Sequence, residues 1–207
     1  MNSHNVRKRL DRQTAHLCVD MQRMFAEETE WRTPWMDRVL PVVESIVKHC
    51  PERTIFTRFI PPRTADEAEG AWRGYFQRHH RFTRDEIDAG LLDLVQPLAA
   101  LVPPATLFDK SVYSPFYDGR LVSRLRERDV ETLIITGAET DVCVLAAVMD
   151  AMDHGFHVVL PRDALCSGAD ETHDALMRVY ESRFSQQVEL TTAVEVLRRW
   201  MIDTCRT

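Results

Sequence analysis

No stretch of this chain is long and apolar enough to span a membrane, and no apolar core of signal-peptide length follows the basic start MNSHNVRKRLDRQ. A cytoplasmic protein without a membrane partner is therefore expected. Lys and Arg are scattered rather than blocked, and a net charge of −6 with a pI near 5.8 offers no electrostatic footprint for DNA or RNA. The five cysteines are an odd number without CxxC spacing, which argues against both a disulfide framework and a zinc ribbon and fits reduced thiols. There is no internal repeat, Gly/Ser linker or low-complexity run. What remains is an ordinary globular composition, 44% hydrophobic and 28% charged over 207 residues, enough for one substantial core. The expectation is a flexible N-terminus over residues 1–12 and a single domain over 13–207.

Along the chain, short apolar and β-branched runs alternate with helical patterns. Strands are expected at Thr14 to Asp20, Arg53 to Phe59, Thr106 to Phe108, Thr132 to Thr136, Phe156 to Leu160 and Gln187 to Thr191. Between them, apolar residues at Met36, Val39, Leu40, Val43, Ile46 and Val47 form the stripe of a helix that contains or begins near Pro41. Further helices are expected at Leu91 to Val102, Gly119 to Arg128, near Asp141 to Gly155, Glu171 to Phe184 with Asp170 as its cap, and Ala193 to Ile202. Six strands alternating with helices imply a parallel sheet covered on both faces, an α/β fold. Residues 60–90 are longer than most loops, so they are functional or partly helical.

In such a sheet, ligands bind outside the carboxyl ends of the strands. Asp20, Lys110 and Cys143 each lie at or just past such an end. Cys143 also falls in the first turn of a helix, where free backbone N–H groups and the helix dipole favour a thiolate and an oxyanion. Taken alone, Cys143 reads more readily as a small core hydrophobe among Val142, Val144, Leu145 and Val148. Asp20 alone could end a strand, and Lys110 alone could be surface. Their shared placement raises the chemical reading. An unperturbed thiol has a pKa of about 8.5, so attack on a stable carbonyl needs a base and a favourable field. Asp20 would supply the base, later protonating the leaving nitrogen and activating water, and Lys110 would supply the field.

The segments VDMQRMF, FDKSVYSPF and GAETDVCVLAAVMDAMDHG, in that order and spacing, resemble the three signature segments of the isochorismatase-like cysteine hydrolases. The resemblance covers nearly the whole chain. It implies a Rossmann-like three-layer fold with a six-stranded parallel sheet and helices on both faces. It places Asp20, Lys110 and Cys143 on the catalytic triad, with a cis peptide between Ala138 and Glu139. It further implies a homo-oligomer, dimer or tetramer, that cleaves C–N bonds of small amides, carbamoyl compounds or ureides, or in one branch an enol ether. The N–H groups of Glu139 and Cys143 would form the oxyanion hole.

Two departures from the family pattern matter. Met24 stands where a second carboxylate is common. Thr57, Arg58, Phe59, Ile60 and Pro61 stand where nicotinamidases carry an Asp-x-His pair and a later His. No metal and no other cofactor is therefore expected, and His79 and His80 read as solvated surface. By residue type, Phe25, Arg58, Trp72, Tyr75 and Tyr113 are candidate pocket residues for a small-molecule substrate that is planar or anionic. The favoured reading is a metal-independent cysteine amidohydrolase forming a thioester. The alternatives are an enol-ether hydrolase, which would have no use for a thiol at position 143, and a catalytically idle assembly protein of the same fold.

Overall fold

The computed structural model describes residues 10–201. The elements in chain order are β1 (Thr14–Val19), α1 (Arg23–Ala26), α2 (Met36–His49), β2 (Thr54–Phe59), α3 (Ala71–Arg78), α4 (Gln96–Ala99), β3 (Thr106–Lys110), α5 (Arg120–Arg126), β4 (Thr132–Ala138), α6 (Cys143–Asp153), β5 (His157–Pro161), β6 (Leu165–Cys166), α7 (Asp170–Arg183), β7 (Val188–Thr191) and α8 (Ala193–Arg199). Six strands run parallel in the order β3-β2-β1-β4-β5-β7, and the two-residue β6 pairs with the end of β4. The sequence pattern shows six strands and misses β6, because two residues carry no periodicity.

β1 and β4, at the centre, are buried along their whole length, as expected of parallel strands covered on both faces. Alternation along them feeds two cores. Leu17, Val19, Leu133 and Ile135 pack with Leu121 and Leu125 of α5, with Val144 and Val148 of α6, and with Tyr180 of α7. Cys18 and Ile134 face Val39, Val43 and Ile46 of α2, with Val196 of α8 and Trp200 just past it. This is the three-layer arrangement of an α/β domain. His16 lies in the middle of β1, fully buried, with its ring nitrogens bonded to Thr54 Oγ1 and Thr136 Oγ1.

Several local expectations need correction. The segment expected to be one helix over Leu91 to Val102 holds only a 3-10 turn at Ala89–Leu92 and the single turn α4, since two prolines follow and Val95 is extended. Asp170 is the first residue of α7 rather than its cap, and Ala169 stands at the N-cap. The first strand closes at Val19 and the second opens at Thr54. Within residues 60–90, α3 and two 3-10 turns fold onto the body, burying Phe76 and Phe82. Leu10, expected in a loose N-terminus, is fully buried and bridged to Trp200. The rest of that expectation concerns residues 1–9, which lie outside the described residues, as do residues 202–207.

Candidate active site

The strand order decides which loops meet. β1, β2, β3 and β4 are consecutive neighbours, so residues at their carboxyl ends share one cleft. The closest approach is at Val19 and Gly137, which are register partners. Gly137 has φ +108, and a Cβ there would sit 2.1 Å from the Val19 carbonyl oxygen, so only glycine lets β4 run this close to β1. The approach sets Asp20, the residue after β1, beside the turn that leads into α6.

The structure brings Asp20, Lys110 and Cys143 together. Lys110 Nζ lies 2.7 Å from Asp20 Oδ2, 3.4 Å from Cys143 Sγ and 3.1 Å from the Val112 carbonyl oxygen. The ammonium donates hydrogen bonds to the sulfur and to the carbonyl, and holds the carboxylate as an ion pair. The Phe59 ring lies under the same nitrogen at 5.2 Å. Asp20, with φ +48, is held from the other side: Thr57 Oγ1 donates to its Oδ1 at 2.5 Å and accepts from its backbone N–H at 3.1 Å. Gln22, fully buried, ties the loop after β1 to the Phe59 N–H and to the Phe59 and Leu92 carbonyls. Asp20, Lys110 and Cys143 are only 1%, 5% and 7% exposed.

That burial reverses one expectation. The sequence suggests a thiol depressed by the helix N-terminus and by Lys110. In the structure the Cys143 thiol is pushed well up, first by burial and then by the negative charge of Asp20, with Lys110 opposing. Desolvation in a packed site outweighs a single ammonium. Lys110 is itself pulled down by burial, but the Asp20 carboxylate leads the effects that more than restore it, so it stays an ammonium. The resting site therefore holds a neutral thiol beside an ion pair.

The turn into α6 carries a cis peptide between Ala138 and Glu139. Val142 is the N-cap of α6. The Thr140 hydroxyl joins the Cys166 carbonyl and His173 Nδ1, at 3.1 and 2.9 Å, which fastens the turn to β6 and α7. The Glu139 carbonyl accepts from the N–H groups of Val142 and Val144. Among the described residues, neither the N–H of Glu139 nor that of Cys143 is engaged in a backbone hydrogen bond. Both stand at the pocket, because Glu139 and Cys143 line it.

The pocket above Cys143 encloses about 370 Å3 and is walled by Phe25, Trp31, Phe59, Tyr75 and Tyr113, with Glu30, Arg32 and Glu139 as its charged groups. Of the residues picked out by type, Phe25, Tyr75 and Tyr113 line it and two do not. Arg58 forms a two-pronged pair with Asp109 at 2.8 and 2.9 Å and reaches Asp93 at 3.3 Å. Neighbouring side chains of a strand alternate faces, so with Phe59 turned to the pocket Arg58 turns away. Trp72 lies 4.7 Å from the Tyr113 ring and 5.4 Å from the Tyr75 ring, backing that wall from an adjoining groove. The sequence reading missed Trp31, whose ring stacks on Phe82 at 3.7 Å. Its place in the loop after β1, at the ligand-binding end of the sheet, was the available signal. Burial, followed by the charge of Asp141, raises the Glu139 carboxyl, which accepts from the Gly168 N–H.

Among the described residues, no three His, Cys, Asp or Glu side chains converge as a metal-ligand set. His79 packs against Trp31 and Tyr75 at the rim.

The solved cysteine hydrolase of Pseudomonas syringae pv. phaseolicola 1448A superposes with a TM-score of 0.80 at 24% identity, covering 97% of this chain and 98% of that one. The pyrazinamidase of Pyrococcus horikoshii, solved in complex with zinc, superposes with a TM-score of 0.66 at 25% identity, covering 87% and 99%. The maleamate amidohydrolase of Pseudomonas putida is 26% identical over 160 residues, 74% of this chain and 70% of that protein. The Isochorismatase domain model matches residues 14–192, which takes in every strand and the whole candidate site, and the chain belongs to the isochorismatase family.

Proposed function

We propose that the protein is a cysteine hydrolase that cleaves the C–N bond of a small acyclic amide, carbamoyl or ureido compound through a thioester on Cys143. The observation that carries this reading is the contact of the Cys143 thiol with the Lys110 ammonium at 3.4 Å, itself 2.7 Å from Asp20, at the base of an aromatic-walled pocket. The maleamate amidohydrolase and pyrazinamidase names of two relatives support the amide class.

The reaction starts from the neutral thiol. As Sγ attacks the substrate carbonyl carbon, its proton passes to the Asp20 carboxylate, and Lys110 stabilises the negative charge on sulfur. The tetrahedral oxyanion receives hydrogen bonds from the N–H groups of Glu139 and Cys143. Collapse breaks the C–N bond, and the proton held by Asp20 goes to the departing nitrogen, leaving a thioester. Asp20, again a carboxylate, then takes a proton from a water molecule that attacks the thioester, and the acid leaves with the thiol restored. Thr57 and Gln22 are positioning residues in this scheme, since they hold Asp20 and its loop.

No step calls on a metal. The carboxyl end of β2 and the residues just past it supply Thr57, Arg58 and Pro61, which are not metal ligands for a hydrolytic site.

The test is release of ammonia, scored with purified protein over a panel of small amides, carbamates and ureides, with acid-quench mass spectrometry for an acyl adduct on Cys143. Turnover without any adduct in wild type or in slow-deacylating variants would favour an enol-ether type of chemistry and sink the thioester. The same reading includes a cytoplasmic homo-oligomer. Free Cys18, Cys143 and Cys166 fit a reducing compartment, and no helix among the described residues is long and apolar enough to cross a membrane. Light scattering of the eluting protein decides the oligomeric part, with a monomer mass counting against it.

A further inference from the structure

The opposite end of the sheet carries a cluster of another kind. β2, β1 and β4 lie side by side, and the residues that lead into them bring three guanidinium groups to one place. Arg12 precedes β1, Arg53 precedes β2, and Arg128 lies in the turn before β4. With Gln13 and Asp129 they line a cavity of about 250 Å3. Asp20, Lys110 and Cys143 sit at the carboxyl ends of the strands and this cavity at the amino ends, so the two are roughly 20 Å apart across a six-residue strand.

The arginines are held but not neutralised. Arg53 Nε donates to the Thr14 carbonyl at 2.9 Å, and Arg128 Nη2 to the Glu52 carbonyl at 2.6 Å. Both partners are neutral backbone. Arg53 Nη2 is buried without a hydrogen-bond partner. Among the described residues, none of the three makes an ion pair, and Asp129, the one carboxylate lining the cavity, is exposed. Burial, then repulsion from Arg53 and Arg124, weakens the hold of Arg128 on its proton. A chain of net charge −6 has carboxylates to spare, yet it leaves this group of cations to face one another. Such an arrangement is costly unless an anion completes it.

We propose that this cavity is a binding site for a compact polyanion, a phosphate or diphosphate group, read by the planar forks of Arg53 and Arg128 with Arg12 closing over it. Guanidinium groups match phosphate oxygens two at a time, which suits the unused donors here. The cavity is smaller than the roughly 300 to 1,000 Å3 of typical organic-ligand pockets. It takes the phosphate group itself and leaves any attached sugar or base outside.

The experiment is isothermal titration of the intact protein at low salt with inorganic pyrophosphate, ADP and the tricarboxylate citrate, using wild type, Arg12→Gln and Arg128→Gln. Arg12 is exposed and, among the described residues, makes no hydrogen bond or ion pair, so its substitution leaves the fold in place even if Arg128→Gln proves unstable by thermal melting. Saturable pyrophosphate binding at one site per chain is expected, weakened at least about tenfold in each folded variant. ADP tighter than pyrophosphate would identify the source as a nucleotide, and equal affinities a free phosphate compound. Absent saturable binding, binding untouched by both substitutions, or citrate bound as tightly as pyrophosphate would each overturn the proposal.

Discussion

Replacing Asp20 by asparagine separates two roles of one carboxylate. Its charge raises the Cys143 thiol, so Asp20→Asn lets the thiol ionise more readily and iodoacetamide labels Cys143 faster at a given pH. Turnover nevertheless falls by about 10^2 to 10^4, because proton transfer is lost. Lys110→Met acts in the opposite sense on labelling, since Lys110 is the group that holds the thiol down. In the wild type, labelling of Cys143 climbs with pH well past neutrality, as a raised thiol requires. A plateau reached near pH 7 would show a preformed thiolate and refute the neutral resting state. Cys143→Ala and Cys143→Ser abolish turnover while the circular dichroism stays unchanged, because a residue at the first position of α6 costs little packing. Cys143 is labelled ahead of Cys18 and Cys50 because it lies at the pocket while they are 0% and 1% exposed.

The strands β1 and β4 act as a unit, and two substitutions test that unit. Gly137→Ala puts a Cβ against the Val19 carbonyl at a φ that side chains avoid. It should cost about 3 kcal/mol or more in urea unfolding and move Asp20 away from Cys143. A variant of unchanged midpoint and activity would show that the two strands are not pinned there. His16 gives the same pair a pH dependence. Burial lowers its pKa from 6.5 to about 3. A lowered basic group is neutral in the folded state while the unfolded chain takes up a proton below 6.5. Its contribution is therefore intact above 6.5 and is lost at up to about 1.4 kcal/mol per unit as pH falls from 6.5 towards 3. His16→Gln should flatten that limb of the stability curve, and an unaltered slope would assign the acid sensitivity to other groups. In α2, by comparison, the apolar stripe shows the helix but leaves open whether it begins near Pro41, and the structure runs it through Pro41 from Met36 to His49.

For the whole molecule the sharpest question is whether a metal takes part, since a relative of the same fold was solved with zinc. Activity is expected to survive exhaustive chelation. Metal analysis of purified protein is expected to give far less than one zinc, manganese or iron per chain. Stoichiometric metal, with activity lost on its removal and regained on its return, would place the chemistry with that of metal-dependent relatives. The physical ground is local: hydrolysis needs the carbonyl polarised and water activated, and the free N–H groups at the turn and Asp20 are placed for those tasks. Lys110 already occupies the side of Asp20 that a divalent ion would seek.

Periodicity and β-branched runs were enough to read the alternation of strands and helices, the parallel sheet and the end of it where ligands bind, because these depend on neighbours close in the chain. The three signature segments named Asp20, Lys110 and Cys143 for the same reason: each lies in a local strand-to-loop pattern. Everything that depends on which strand lies beside which was left to the tertiary structure. Thr57 could not be seen as the partner of Asp20 until β2 lay next to β1. Arg58 was taken for a pocket residue until its register partner Asp109 claimed it. Trp31 joined the pocket only when α3 and Phe82 folded over it. The thiol was expected to be acidic from its place in a helix, and burial, a property of the packed whole, made it the reverse. Arginines scattered at positions 12, 53 and 128 became one cationic cavity for the same cause, since three strands that begin side by side collect the residues in front of them.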